Sequence, residues 1–227
     1  MTNENIFVII PAYNEGRVIR QTILSLGYAY QIVVVDDAST DDTRSQLQDL
    51  PIYYLRHPIN LGQGAALQTG MDFVYQMKGE IAVHFDADGQ HNPADIPRFI
   101  QKLQEDPLDI VIGSRFLRNE DTQRVPFLKR FILKTATVIN GLLTGLWLTD
   151  AHNGFRVMNR QALERLQLRE NRMAHATEIL AQVRLNELRL AELDTHVVYT
   201  DYSKLKGQSW TNSFNILFDL VVSKYLR

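Results

Sequence analysis

Cysteine is absent from the 227 residues, which excludes disulfides, thiol catalysis and thiolate metal sites. Long apolar runs are absent too. A clear membrane span needs roughly 18 or more consecutive apolar residues. The nearest approach, Phe131 to Leu148, is broken by Lys134, Asn140 and three threonines and reads as a buried or interfacial helix. Met1 to Asn5 is polar and leads into a very short apolar run, so no signal peptide is expected and the cytoplasm is the expected location. An excess of one charge is also missing: 24 Lys and Arg stand against 26 Asp and Glu, a net charge of −2. Nucleic acid is therefore not expected as a main partner. Repeats and low-complexity linkers are lacking. What is there is a chain 45% hydrophobic and long enough for one large α/β domain with a sizeable core.

Apolar runs alternate with helical spacing through the first half. Ile6 to Ile10 reads as a strand stopped by Pro11, and Glu15 to Tyr28 as a helix with Val18, Ile19, Thr22, Ile23 and Leu26 on one face. Strands are expected at Gln31 to Val35, Ile52 to Leu55, Ile81 to Phe85 and Asp109 to Ile112. Helices are expected at Thr43 to Leu50, Ala65 to Met77 and Pro93 to Gln104. This alternation predicts a mainly parallel sheet covered on both faces. Beyond Arg115 the character changes. A polar loop at Asn119 to Arg124 precedes the long apolar helix, then come a short strand at Phe155 to Met158, a helix at Glu178 to Leu190 and a strand at His196 to Tyr199. Trp210 to Leu226 is amphipathic at helical spacing.

The strand at Ile81 ends in Asp86-Ala87-Asp88-Gly89-Gln90. Two carboxylates at the carboxyl end of a buried strand are oxygen ligands suited to Mg²⁺ or Mn²⁺, and Gln90 offers a further oxygen. Taken alone, an Asp-x-Asp reads equally well as a polar turn. Its neighbours matter: Pro11-Ala12-Tyr13-Asn14-Glu15, Asp36-Asp37 and Gly113-Ser114-Arg115 also follow strands, and a parallel sheet brings such loops to one rim. Two nucleotide motifs fail. Gly62-Gln63-Gly64 has Leu67 where a dinucleotide fingerprint needs its third glycine, and no phosphate loop of the G-x-x-x-x-G-K-[ST] type occurs. A haloacid-dehalogenase-type nucleophile is disfavoured because the acid pair lies on the fourth strand and continues to Gln90.

Taken in order, these segments resemble a family 2 glycosyltransferase of the GT-A fold, a Rossmann-like, mainly parallel open sheet with helices on both faces. The subgroup most resembled is the polyprenyl-phosphate sugar synthases. The resemblance runs from Ile6 to about Ser209 and includes Asn60-Leu61-Gly62-Gln63-Gly64, Asp150-Ala151-His152-Asn153-Gly154-Phe155-Arg156 and Lys206-Gly207-Gln208-Ser209. It implies a metal-dependent, inverting transfer of a hexose from UDP- or GDP-hexose to a polyprenyl phosphate, on the cytoplasmic face of the membrane. By the same resemblance, Pro11, Tyr13, Glu15, Asp37, Gly64, Asp86 and Lys206 bind the nucleotide sugar, and Asp86, Asp88 and Gln90 hold Mg²⁺ or Mn²⁺. Asp150, Asp88 and Arg115 are the expected catalytic residues, and Arg115, Lys129 and Arg130 the expected sites for the acceptor phosphate.

Two alternatives stay open. A saccharide acceptor would need Asp150 or Glu178 as base, and a non-catalytic nucleotide-sugar-binding module would support a membrane partner. Residues 1–209 form the expected catalytic domain, and 210–227 a helix for the domain, a partner or the membrane. Burial of its apolar face in a homo-oligomer is the competing expectation. His84 reads as a satisfied core histidine and His152 as a loop residue near the site. Glu178 reads either as an acid near the acceptor or as a helix-terminal carboxylate.

Overall fold

A computed structural model describes residues 5–118 and 127–196. The strands are β1 (Ile6–Ala12), β2 (Gln31–Asp36), β3 (Tyr53–Arg56), β4 (Ile81–His84), β5 (Ile110–Ser114), β6 (Arg156–Asn159) and β7 (Leu190–Asp194). The helices are α1 (Ile19–Leu26), α2 (Gln63–Gln76), α3 (Asp95–Glu105), α4 (Phe127–Thr144), α5 (Arg160–Arg165) and α6 (His175–Leu185). The strands form one seven-stranded sheet in the order β3-β2-β1-β4-β6-β5-β7. Every pairing is parallel except those of β6, which runs antiparallel between β4 and β5.

Strand alternation divides the core in two. Val8, Ile10, Val34, Val83 and Val157 pack under α1 and α3 against Ile19, Ile23, Ile96 and Phe99. Ile9, Val33, Val35, Ala82, Ile112 and Met158 face α2, α5 and α6 through Leu67, Met71, Leu163 and Ile179. Burial on both faces explains why β1, β2, β4 and β5 read as largely apolar runs. Fully burying each Val, Leu or Ile contributes roughly 1.5–3 kcal/mol before entropy is charged against it.

The topology places the site. The chain winds outward from β1 through β2 to β3, then returns to β1's other side with β4. That reversal opens a crevice beyond the carboxyl ends of the strands. Because β6 runs backward, its first residue, Arg156, lies beside the ends of β4 and β5, in one rung with His84 and Ile112. The segment 150–155 is thereby delivered to the same rim.

Several boundaries differ from expectation for identifiable reasons. Pro11 does not stop β1, which continues to Ala12. The Ile9 carbonyl accepts the Phe85 N–H, so alternation turns the Pro11 nitrogen toward β4, whose pairing with β1 has already ended at His84. A missing donor costs nothing there. Residues 43–50 give only a 3₁₀ turn at Ser45–Leu47. The expected helix to Leu190 ends at Leu185, because Glu187 adopts φ 53° and the chain re-enters the sheet as β7. That strand lacks β-branched residues and is mostly half-buried, so it carried little strand signal. α5 was not expected; Asn159 caps it by accepting the Ala162 N–H at 2.9 Å. The long apolar helix begins at Phe127 rather than Phe131. Among the described residues no helix is long and apolar enough to cross a membrane. Of the strand expected at His196 to Tyr199, His196 lies beyond the end of β7 and the rest is outside the described residues, as are the tail 210–227 and Lys206.

Candidate active site

Two rim loops are stapled together at the β1 and β2 ends. The Asn14 N–H donates to Ser39 Oγ at 2.9 Å, and Asn14 Oδ1 accepts the Thr40 N–H at 2.8 Å. The Glu15 N–H donates to Thr43 Oγ1 at 2.9 Å and the Gly16 N–H to Asp41 Oδ2 at 3.0 Å. Gly16 packs against this loop as well, and a Cβ there would displace the exposed Asp42 side chain, whose Oδ1 would stand 1.8 Å away. The loop leaves Tyr13 exposed on the rim, Pro11 half-buried and Glu15 buried.

The two acids ending β2 are buried. Asp36 accepts from Ser39 N–H at 2.7 Å, from Arg56 Nη1 at 3.0 Å and from the Tyr54 hydroxyl. Asp37 Oδ1 accepts from His57 Nδ1 at 2.7 Å and Leu61 N–H at 2.9 Å, while Oδ2 accepts from Gly62 N–H at 2.7 Å. The carboxylate expected to contact the nucleotide faces inward here and shapes the 60–64 turn. Gly64, also expected at the nucleotide, is packed closely against a second segment. Its N–H donates to the Asn171 carbonyl at 2.8 Å, and a Cβ there would stand 2.0 Å from the Glu170 carbonyl oxygen. Gly62 (φ 109°) lies against the Asn171 carbonyl in the same way. These glycines admit the 170–171 backbone, whose Asn171 carbonyl caps the start of α2 by accepting the Gly64 and Ala65 N–H groups. Glu178 holds that segment by accepting the Arg169 and Glu170 N–H groups at 3.0 and 2.8 Å.

The acid pair follows β4. Gly89 turns the chain at φ 73°, and Thr22 Oγ1 pins the loop to α1 by donating to the Ala87 carbonyl at 2.9 Å. Asp86 accepts from Gln63 Nε2 at 3.1 Å and His91 Nε2 at 3.0 Å. Burial pushes the Asp86 carboxyl up, but the His91 bond and the charges of His91, Arg156 and His175 outweigh it and hold it below the usual range. Asp88 is pushed up to about 6, first by burial and then by the Asp86 charge, against the bond from the Gln90 N–H. His91 is itself locked between Phe85 and Phe155, with ring centroids 5.4 Å away from each.

This donor set fits a small hard cation. Asp86 keeps 32% of its side chain exposed, Asp88 and Gln90 are half-buried, and all three offer oxygen. No cluster of three or more acidic or histidine ligands occurs among the described residues. A site of two carboxylates completed by substrate phosphates and water is the usual arrangement for Mg²⁺.

On the other side of the crevice, the Arg115 guanidinium pairs with Asp150 through Nε to Oδ2 at 2.6 Å and Nη2 to Oδ1 at 2.7 Å. Asp150 is fully buried. Burial raises its carboxyl, but the Arg115 charge and bonds win and hold it below the usual range. Its backbone N–H donates to Glu192 Oε1 at 3.1 Å, so β7 also fixes its place. Asp150, an expected catalytic residue, lies behind Arg115 and aims it. Lys129 and Arg130 are on the first turn of α4, Arg130 half-buried and the Lys129 side chain outside the described part. Beneath the rim, Arg156 is 2% exposed, and its Nε and Nη1 have no hydrogen-bond partner. Burial lowers it to about 10, opposed by the charges of Asp86 and Asp150, so it remains a cation near neutrality. Both ring nitrogens of His84 are also buried without partners, which corrects the expected satisfied core histidine. His152 likewise has both nitrogens unpartnered, and burial pushes it down to about 4.

Sequence reasoning missed Gln63 and His91, the two side chains that hold Asp86. Gln63 stands inside the 60–64 motif and His91 directly after Gln90, but their reach depends on how α2 and the 89–91 turn meet across β4.

Residues 7–167 match the family described as Glycosyl transferase family 2. An uncharacterized protein of Methanocaldococcus jannaschii is 32% identical over 99% of this chain and 94% of its own length. A UDP-N-acetylglucosamine–dolichyl-phosphate N-acetylglucosaminyltransferase of Methanococcus voltae is also 32% identical, over 99% of this chain and 98% of its own. Glucosyl-3-phosphoglycerate synthase from Mycobacterium tuberculosis, crystallised with Mn²⁺, UDP and phosphoglyceric acid, superimposes with a TM-score of 0.68 at 19% identity, covering 96% of this chain and 77% of that one. That likeness identifies the fold as GT-A. The order of strands, the acid pair after β4 and the matched span agree, and the chain belongs to glycosyltransferase family 2.

Proposed function

We propose that this glycosyltransferase moves a hexose from a nucleotide-diphosphate sugar to a polyprenyl phosphate, with inversion, at a membrane surface. The observation that carries the reading is the Arg115–Asp150 pair, a guanidinium aimed by a buried carboxylate across the crevice from Asp86 and Asp88. One crevice thus has an acidic side suited to a metal-bound diphosphate and a cationic side suited to an anionic acceptor.

The directions in which the carboxylates point support a phosphate acceptor. A sugar hydroxyl would need a base, yet Asp150 is engaged by Arg115 and Glu178 by the 169–170 backbone. A phosphate monoester is largely ionised at pH 7 and needs none. Its oxygen attacks the anomeric carbon as the bond to the β-phosphate oxygen breaks, and the nucleoside diphosphate leaves. A divalent ion, Mg²⁺ or Mn²⁺, held by Asp86, Asp88 and Gln90 would stabilise charge on that leaving group. Gln63 and His91 orient Asp86, while Tyr13 and Glu15 line the nucleotide side of the rim. The Methanococcus voltae relative, named for a dolichyl-phosphate acceptor, supports the same class.

Surface chemistry supports the membrane. On α4, Lys134, Val138 and Leu142 form one exposed stripe, with Val138 51% and Leu142 71% exposed. Trp147 packs over Gly141 and stays 66% exposed. Apolar groups with an aromatic edge and nearby cations suit a bilayer interface. The test is a panel of UDP- and GDP-sugars with Mn²⁺ or Mg²⁺ and undecaprenyl phosphate in detergent. Glycolipid should form, with nucleoside diphosphate released only when lipid phosphate is present. Release driven instead by saccharides, and not by lipid phosphate, refutes the acceptor assignment.

A further inference from the structure

The two sides of the crevice are carried by different strands, and one residue lies between them. Asp86 is two residues beyond His84 at the end of β4, and Arg115 follows β5 directly. Arg156 opens β6, the strand between them, in register with His84 on one side and Ile112 on the other. Two residues earlier, Gly154 touches Asp86 so closely that a Cβ would stand 2.4 Å from its Oδ2. Six residues earlier is Asp150, the carboxylate that aims Arg115. The guanidinium of Arg156 is buried, and its Nε and Nη1 bond to nothing. A buried cation with unused donors adds little as a structural strut, because such a side chain is commonly replaceable by an apolar one of similar size. Its charge is what distinguishes it from methionine.

We propose that Arg156 is a positioning residue of the transfer site, a buried cation that sets the charge of the Asp86 side and ties it to the Asp150–Arg115 side. This rests on the donor reading above. With Arg156 present, part of the Asp86 charge is already balanced. The metal loop then tolerates an incoming diphosphate, and a divalent ion is held less tightly than two bare carboxylates would hold it. Removing the cation must act oppositely on two ligands. The site becomes more negative, so it should attract Mn²⁺ more and repel nucleoside diphosphate more. Loss of packing, by contrast, weakens both.

The experiment compares wild type with Arg156→Met, Arg156→Gln and Arg156→Lys. Mn²⁺ alone is titrated by the spin-resonance signal of the free ion. UDP and GDP are titrated by calorimetry in excess chelator. Arg156→Met should bind Mn²⁺ roughly three- to tenfold more tightly and the metal-free nucleotide weaker by a similar factor. Arg156→Lys should return both constants to within about twofold of wild type, since lysine keeps the charge. Arg156→Gln carries the same comparison if the methionine variant does not fold. Unchanged or weaker Mn²⁺ binding in a folded neutral variant overturns the inference. Absence of Mn²⁺ binding by wild type overturns the metal reading instead, and the chelator titration still decides the role of Arg156. Absence of any nucleotide binding by wild type removes the donor reading and this inference with it.

Discussion

Asp150 grips Arg115 by two parallel bonds, Nε to Oδ2 at 2.6 Å and Nη2 to Oδ1 at 2.7 Å, and is itself shut away from solvent. The relation is directional. Arg115 keeps 13% of its side chain exposed at the rim, whereas Asp150 keeps 1% and turns its carboxylate to its partner. A planar guanidinium held at both Nε and Nη2 cannot rotate without breaking the pair.

Asp150→Asn should therefore act on the acceptor. Asparagine lacks the charge and presents an N–H to the guanidinium. We expect KM for lipid phosphate to rise about tenfold or more and kcat to fall, while the Kd for nucleotide sugar stays within about twofold. Unfolding in urea should show a loss of roughly 3 kcal/mol, the usual cost of breaking a buried pair on one side. Equal weakening of donor and acceptor would show that the residue merely supports the loop.

Proton and metal should compete at Asp88, whose carboxyl is pushed up to about 6 by burial and by Asp86. Apparent Mn²⁺ affinity should be nearly flat above pH 7 and fall by up to about tenfold per pH unit below 6. The sign for stability is the reverse of an ordinary paired acid. A folded value above the unfolded one, about 4, adds stability that is full below pH 4 and lost as the pH rises through 6. Asp88→Asn should accordingly raise the Tm of chelator-treated protein at pH 7 while abolishing transfer. Thermal scans at pH 5 and pH 7, with and without Mn²⁺, check both signs.

Gly64→Ala should fail through packing rather than through the nucleotide. The added methyl meets the Glu170 carbonyl oxygen at 2.0 Å and His175 Cβ at 2.9 Å. The 170–171 segment must move, at a cost of roughly 2 kcal/mol or more. Urea denaturation should report that loss, and nucleotide affinity should change little in the folded fraction. A stable variant with lost nucleotide binding would return Gly64 to the role expected from sequence.

Attachment to lipid should depend on the exposed stripe of α4 and on the cations before it. Lys129→Glu with Arg130→Glu should raise KM for lipid phosphate and spare the Kd for nucleotide sugar. Flotation with anionic vesicles should weaken as salt rises, since screening shortens the reach of the basic cluster. Leu142→Glu should weaken flotation at every salt concentration, because it removes apolar contact. No flotation of wild type, with unchanged lipid kinetics in the double variant, rules out peripheral attachment.

By itself the sequence determined the architecture and the neighbourhood of the site. Unbroken Val and Ile runs could only be strands buried on both faces, and the helical patterns between them forced parallel crossovers. Parallel crossovers bring the loop at Tyr13, the acids at Asp86 and Asp88, and Arg115 to one rim, because that consequence needs only the order of elements. Which way a side chain points was decided by tertiary structure. Asp37 and Asp150 are chemically fit to touch ligand, yet one turns inward to the 61–62 backbone and the other to Arg115. Gly62 and Gly64 stand in a motif expected at the nucleotide, and only the fold lays residues 170–171, more than 100 positions later, across them. Arg156 could not be placed from its motif at all. Its position between two carboxylates exists only because β6 runs backward between β4 and β5, and pairing direction depends on contacts between distant segments that no local pattern encodes.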